Sequence, residues 1–143
     1  MGILTFILII LILSSLILIH ELGHFVAARK SGVRVEEFGI GYPPRLWGKQ
    51  IGETLYSINV LPLGGFVRIE GEEVESDKEE KEYVKDPHSF ISKPPKIQAL
   101  ILLAGIIMNT AMAIFLFYIF FLANGFRSFY IPMIFDHKFR FGT

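Results

Sequence analysis

Two long apolar runs bracket a polar middle. Between residues 3 and 19 only Thr5, Ser14 and Ser15 interrupt the first run, and apolar character resumes at Phe25-Val26-Ala27-Ala28. Residues 97–123 contain no charged side chain. At about 1.5 Å of rise per residue, either run is long enough to cross a hydrocarbon core of about 30 Å. Arg29, Lys30 and Arg34 follow the first run, and Pro94-Pro95 marks the start of the second, with Lys93 before it. The pattern predicts two transmembrane helices, over 1–28 and 97–123.

The middle, 29–96, changes period. Val33–Ile40, Leu55–Val60 and Gly65–Glu70 alternate, or are rich in β-branched and aromatic residues. Gly41-Tyr42-Pro43-Pro44 and Pro62-Leu63-Gly64-Gly65 read as the breaks between them. A small antiparallel sheet or hairpin is expected, followed over Glu70–Asp86 by a solvated, mobile acidic loop crowded with Glu, Asp and Lys. The fold class is a mainly α membrane protein: two transmembrane helices joined by a loop that carries the small sheet. Residues 124–143 read as the extracytoplasmic start of a further region.

Composition sharpens this picture. Apolar residues make up 52% of the 143 residues, and the mean hydropathy is +0.48. There are no cysteines, so disulfides and Cys-based metal or nucleophile sites are excluded. A net charge of zero gives no argument for a nucleic-acid partner. No Lys or Arg precedes the first run and no small-x-small site follows it, so an uncleaved anchor is expected rather than a signal peptide. The loop 29–96 carries 11 of the 14 Lys and Arg, the tail three and the N-terminus none. By the positive-inside rule the loop is cytoplasmic and both termini lie outside, in a multi-pass protein of the cell's inner (plasma) membrane.

The chemistry sits in the first apolar run, at His20-Glu21-Leu22-Gly23-His24. Imidazoles four residues apart share one helix face and can grip one metal ion, and two neutral imidazole nitrogens suit zinc. Glu21 follows the first of them and can take a proton from a water that the metal activates. Gly23 is expected to leave room for metal or substrate. Carboxylates inside a membrane helix cost about 2.5–3.5 kcal/mol at its centre, so they need a reason. Metal binding supplies one; a pore-lining patch, or side chains snorkelling to the interface, are the bland alternatives. His20 lies 8 residues before Ala28, about 12 Å of helix. The motif is thus below the cytoplasmic surface, and water must reach it from the loop side.

Further segments resemble the N-terminal part of a bacterial site-2 protease, a zinc intramembrane metalloprotease. They are His20 to Phe25, Gly32 to Gly41, Pro43-Pro44, Leu46-Trp47, Leu61 to Val67, Phe90, Lys93-Pro94, Ala104-Gly105 and Asn109. The likeness covers roughly residues 15 to 115. It implies zinc ligands at His20 and His24 and catalysis by Glu21. It also implies a membrane-reentrant hairpin around Gly64, Gly65, Phe66 and Val67 whose edge strand binds an unwound substrate. An ordinary hairpin strand is the plain alternative there. Asn109 is expected near the site, in a structural role.

Two departures stand out. Ile106 occupies a position where the family usually has Pro, which predicts a straighter helix. The family's third ligand, an Asp from a later transmembrane helix, has no counterpart: Asp136 and His137 lie outside the membrane on the expected topology. The resemblance therefore implies a fragment, with transmembrane protein substrates, the lipid bilayer and a missing C-terminal transmembrane part as partners. A truncated, inactive membrane protein that binds zinc or partners is the alternative. A membrane zinc protease with its active site in a soluble domain is disfavoured by the motif's place inside the helix.

Overall fold

The computed structural model describes residues 2–73, 76 and 83–124. Helix α1 runs Ile3–Lys30, strand β1 Val35–Ile51, strand β2 Thr54–Ile69 and helix α2 Pro95–Asn124. Asp136, His137 and the expected tail 124–143 lie outside the described residues except for the last residue of α2. So does much of the expected acidic loop.

Both helices are long and apolar enough to cross a membrane. α1 buries only Gly23 and Ala28 and turns Leu and Ile side chains outward along its length. In water that surface would be costly to leave uncovered; in a bilayer it is the lipid-facing surface. α1 ends where Ser31 and Gly32 turn the chain, Gly32 with φ +66 and its N–H donated to the Arg29 carbonyl. α2 starts on Pro95, as a first-turn proline permits. Before it, the Gln98 side-chain amide donates to the carbonyl of Lys93 at 2.9 Å. α2 is helical through Ile106.

The expected small antiparallel sheet is present, but its strands are longer than the sequence pattern implies. β1 and β2 are both bent, and β1 runs through Gly41–Pro44 while β2 runs through Pro62–Gly65. Register irregularities absorb the Gly and Pro residues instead of ending the strands. The bend places the segment 35–40 between two others: Phe38 faces Val67 on one side and Tyr56 on the other. Beyond it, Ile51 faces Thr54 across a tight turn at Gly52 and Glu53.

The buried core lies at the loop end of the two helices. Ala28, Val33, Val35, Ile69 and Ile101 form it, with Phe25, Val67 and Phe90 packed against it. Phe25 meets the rings of Phe38 and Tyr56 at 5.1 and 6.0 Å, which fastens the sheet to α1. Further along α1, the Ser14 hydroxyl donates to the Pro62 carbonyl at 3.0 Å. The middle of β2 therefore reaches a level six residues before His20 on the spanning helix.

Arg34 joins three pieces of chain outside the span. Its guanidinium bonds Glu70 at 2.7 Å and Asp86 at 3.3 Å. The Glu70 hydrogen bond, with Coulomb support from Glu70 and Asp86, raises the Arg34 pKa against an opposing burial cost. The His88 backbone N–H, first, and Arg34 hold the Asp86 carboxyl below its usual range.

Candidate metal and catalytic site

His20 and His24 stand one turn apart on α1, with ring centroids 4.8 Å apart and planes at 73°. α2 crosses α1 at this height. Gly105 of α2 lies against both imidazoles: a Cβ at that position would stand 2.6 Å from the His20 Nε2 and 2.6 Å from the His24 Nε2. Both Nε2 atoms thus face one small space, which only a glycine at 105 leaves open.

The His24 proton can be placed. Its Nδ1 lies 2.7 Å from the Ile101 carbonyl oxygen, which can only accept, so Nδ1 carries a hydrogen and, in the neutral ring, the lone pair is on Nε2. His20 faces Asn109 instead: its Nδ1 lies 3.5 Å from the Asn109 amide nitrogen. The Asn109 Oδ1 is buried without a hydrogen-bond partner. Asn109 is therefore near the site, as expected, and bridges the helices.

A zinc ion fits this donor set in part. Two imidazole nitrogens converging on a cradle that a Cβ would fill are suitable ligands, and the other nitrogen of His24 is held by the Ile101 carbonyl of α2. Catalytic zinc sites take three protein ligands. Among the described residues no group of three or more His, Asp or Glu comes together.

Glu21 points towards β2. The Val67 backbone N–H donates to its Oε2 at 3.2 Å. Gly64, with φ +93, sits so close to α1 that a Cβ would stand 2.7 Å from Ile17. Gly65 is held between Leu18 and the Gly39 carbonyl, 2.9 and 2.6 Å from where its Cβ would be. The Phe66 ring covers Gly39 and stacks on Tyr42 with centroids 6.3 Å apart. Gly64, Gly65 and Val67 thus lie against α1, the last of them touching Glu21, while Phe66 packs on β1.

Two features differ from the sequence expectations. Gly23 does not make room for metal or substrate; its missing side chain is replaced by the backbone of Ala104 and Gly105, so it serves helix contact. Glu72 was hidden in the charge run, yet it stands in the electrostatic field of the site. It keeps an exposed surface, but its carboxyl is pushed up, mainly by partial burial, with Glu73 and Glu21 adding and His24 opposing. With Phe66, Val67, Glu73 and Tyr83 it lines a cavity of about 450 Å³ beside β2.

Residues 8–141 match the family described as peptidase family M50. A candidate zinc metalloprotease of Clostridium perfringens is 43% identical over 119 residues, 83% of this chain and 33% of that protein. One of Clostridium acetobutylicum is 46% identical over 116 residues, 81% of this chain and 32% of its own length. One of Thermotoga maritima is 44% identical over 110 residues, 76% of this chain and 21% of its own length. The chain thus spans a third or less of each of these relatives.

Proposed function

The chain belongs to peptidase family M50, and on that footing we propose that it carries part of the active site of a zinc-dependent intramembrane endopeptidase, one that cleaves transmembrane segments of other proteins. The observation that carries this reading is the convergence of the His20 and His24 Nε2 atoms beside Gly105, one helical position from a carboxylate held by a strand.

His20 and His24 would hold the metal. Zinc, when bound, polarises the scissile carbonyl and the attacking water. Glu21 accepts the proton from that water and passes it to the leaving amine, a general acid–base role worth about 10²–10⁴ in rate. The Val67 N–H orients the Glu21 carboxylate. Gly64, Gly65, Phe66 and Val67 offer an unwound substrate segment a strand to pair with, so that its freed backbone groups are satisfied inside the membrane. α1 and α2 cross the inner membrane, and the region between them faces the cytoplasm.

Glu21→Gln tests the reading in the full-length protein. Cleavage of a membrane substrate is expected to vanish while zinc stays bound. Persistent cleavage would overturn the assignment. The lack of a third ligand among the described residues favours a second reading, a membrane protein that binds zinc or partners without turnover. Zinc binding with no cleavage in the unaltered full-length protein would select it.

A further inference from the structure

We propose that Asn109 is a positioning residue for His20. Its amide oxygen accepts the His20 Nδ1 hydrogen, and together with the Ile101 carbonyl on His24 it lets α2 set the tautomer of both imidazoles. The proposal rests on His20 and His24 as the zinc ligands and adds how they are prepared for the ion.

The two helices match position by position. Ile101, Gly105 and Asn109 recur every four residues along one face of α2, as His20 and His24 do on α1. The Ile101 carbonyl meets His24, Gly105 faces the space between the rings, and Asn109 meets His20. A metal bound through Nε2 requires the hydrogen on Nδ1. The Ile101 carbonyl already imposes that on His24, since it can only accept.

On His20 the amide decides. The oxygen and nitrogen ends of an Asn side chain have the same shape, so the contact accommodates either orientation. With nitrogen towards the ring, Oδ1 stays buried and unsatisfied, and the His20 hydrogen is driven onto Nε2, into the shared space. With the amide turned over, Oδ1 gains a donor and Nε2 is bare. A buried acceptor left without a donor is unfavourable. The turned orientation gives the buried oxygen a donor and leaves the His20 Nε2 free for a metal.

Imidazole-¹⁵N NMR on the metal-free protein in lipid nanodiscs at mildly alkaline pH reads the tautomer directly. Zinc affinity is read separately, by competition with a chromogenic chelator. The expected result is Nδ1–H on both His20 and His24. Asn109→Leu, with unchanged helix content, is expected to remove the preference at His20 alone and to weaken zinc binding roughly 10–100-fold. Asn109→Asp, which restores an acceptor, is expected to recover both. Nε2–H at His20 in the unaltered protein would overturn the proposal. So would undiminished zinc affinity in Asn109→Leu, or failure of Asn109→Asp to recover it. Nδ1–H at His20 in a protein that binds no zinc would uphold the positioning role and sink the zinc reading instead.

Discussion

The Val67 backbone N–H donates to the Glu21 carboxylate across 3.2 Å, joining the strand to the metal motif through the main chain. A hydrogen bond to a charged group contributes about 1.5–3 kcal/mol, or roughly 10–100-fold in an equilibrium or rate. Val67→Pro removes this donor at a position where the N–H faces α1 rather than the partner strand, the setting in which a sheet tolerates proline. Cleavage is expected to fall by about 10–100-fold while zinc affinity holds. An unchanged rate, measured on a membrane substrate, would detach the strand from the role given to it.

Glycines 105 and 23 occupy the same crossing with opposite consequences. Gly105→Ala sends a methyl group into both imidazole Nε2 atoms. Zinc affinity is expected to drop by at least the roughly 10–100-fold that follows disturbance of a ligand's surroundings, with the helices still paired. Gly23→Ala sends its methyl group into the backbone of Ala104 instead, which cannot rotate away. Its expected effect is on stability, about 1–3 kcal/mol as for other overpacked contacts. Zinc titration and thermal unfolding of the two variants, side by side, separate these outcomes.

The Arg34–Glu70–Asp86 cluster makes the region outside the span sensitive to acid. The Asp86 carboxyl is held below its unfolded value, near 3.9, first by the His88 N–H and then by Arg34. A group lowered on folding contributes stability that is present above its unfolded pKa and lost as pH falls through the folded one. Unfolding of the unaltered protein should therefore become easier below about pH 4, and Asp86→Asn should flatten that part of the profile while lowering stability at pH 7. Equal slopes in the two proteins between pH 5 and pH 2 would contradict the assignment.

Val84 is exposed beside this cluster, and the sequence has no cysteine to compete with a probe. Val84→Cys in sealed vesicles should react with a membrane-impermeant maleimide only when the cytoplasmic face is accessible. Labelling from the other side would reverse the topology drawn from Arg29, Lys30 and the other loop cations.

Much of this molecule can be read from its residues, and the parts that cannot share a cause. His20, Glu21 and His24 are legible because their spacing fixes their face on a helix, and both spanning helices because length and apolarity suffice. The β strands are legible in their alternating cores but not in their extent. Gly41–Pro44 and Pro62–Gly65 look like breaks, and whether a bent ladder absorbs them depends on a partner strand far away in sequence. Gly23 reads in sequence as room for metal or substrate, and only the arrival of Ala104 shows that it serves helix contact. The Ile101 carbonyl has no signal at all, since every residue carries one. Glu72 is one acid among many until the chain fold places it near Glu21.

The contact of Gly23 with the backbone of Ala104 and Gly105 lies at the same level as the histidines. Helices in bilayers of different thickness change their tilt, and a pair does so by scissoring about its point of closest approach. Atoms at such a fulcrum move least. The two imidazoles therefore sit where a change of membrane thickness least disturbs their contacts with Ile101, Gly105 and Asn109 of α2, while the helix ends absorb the motion.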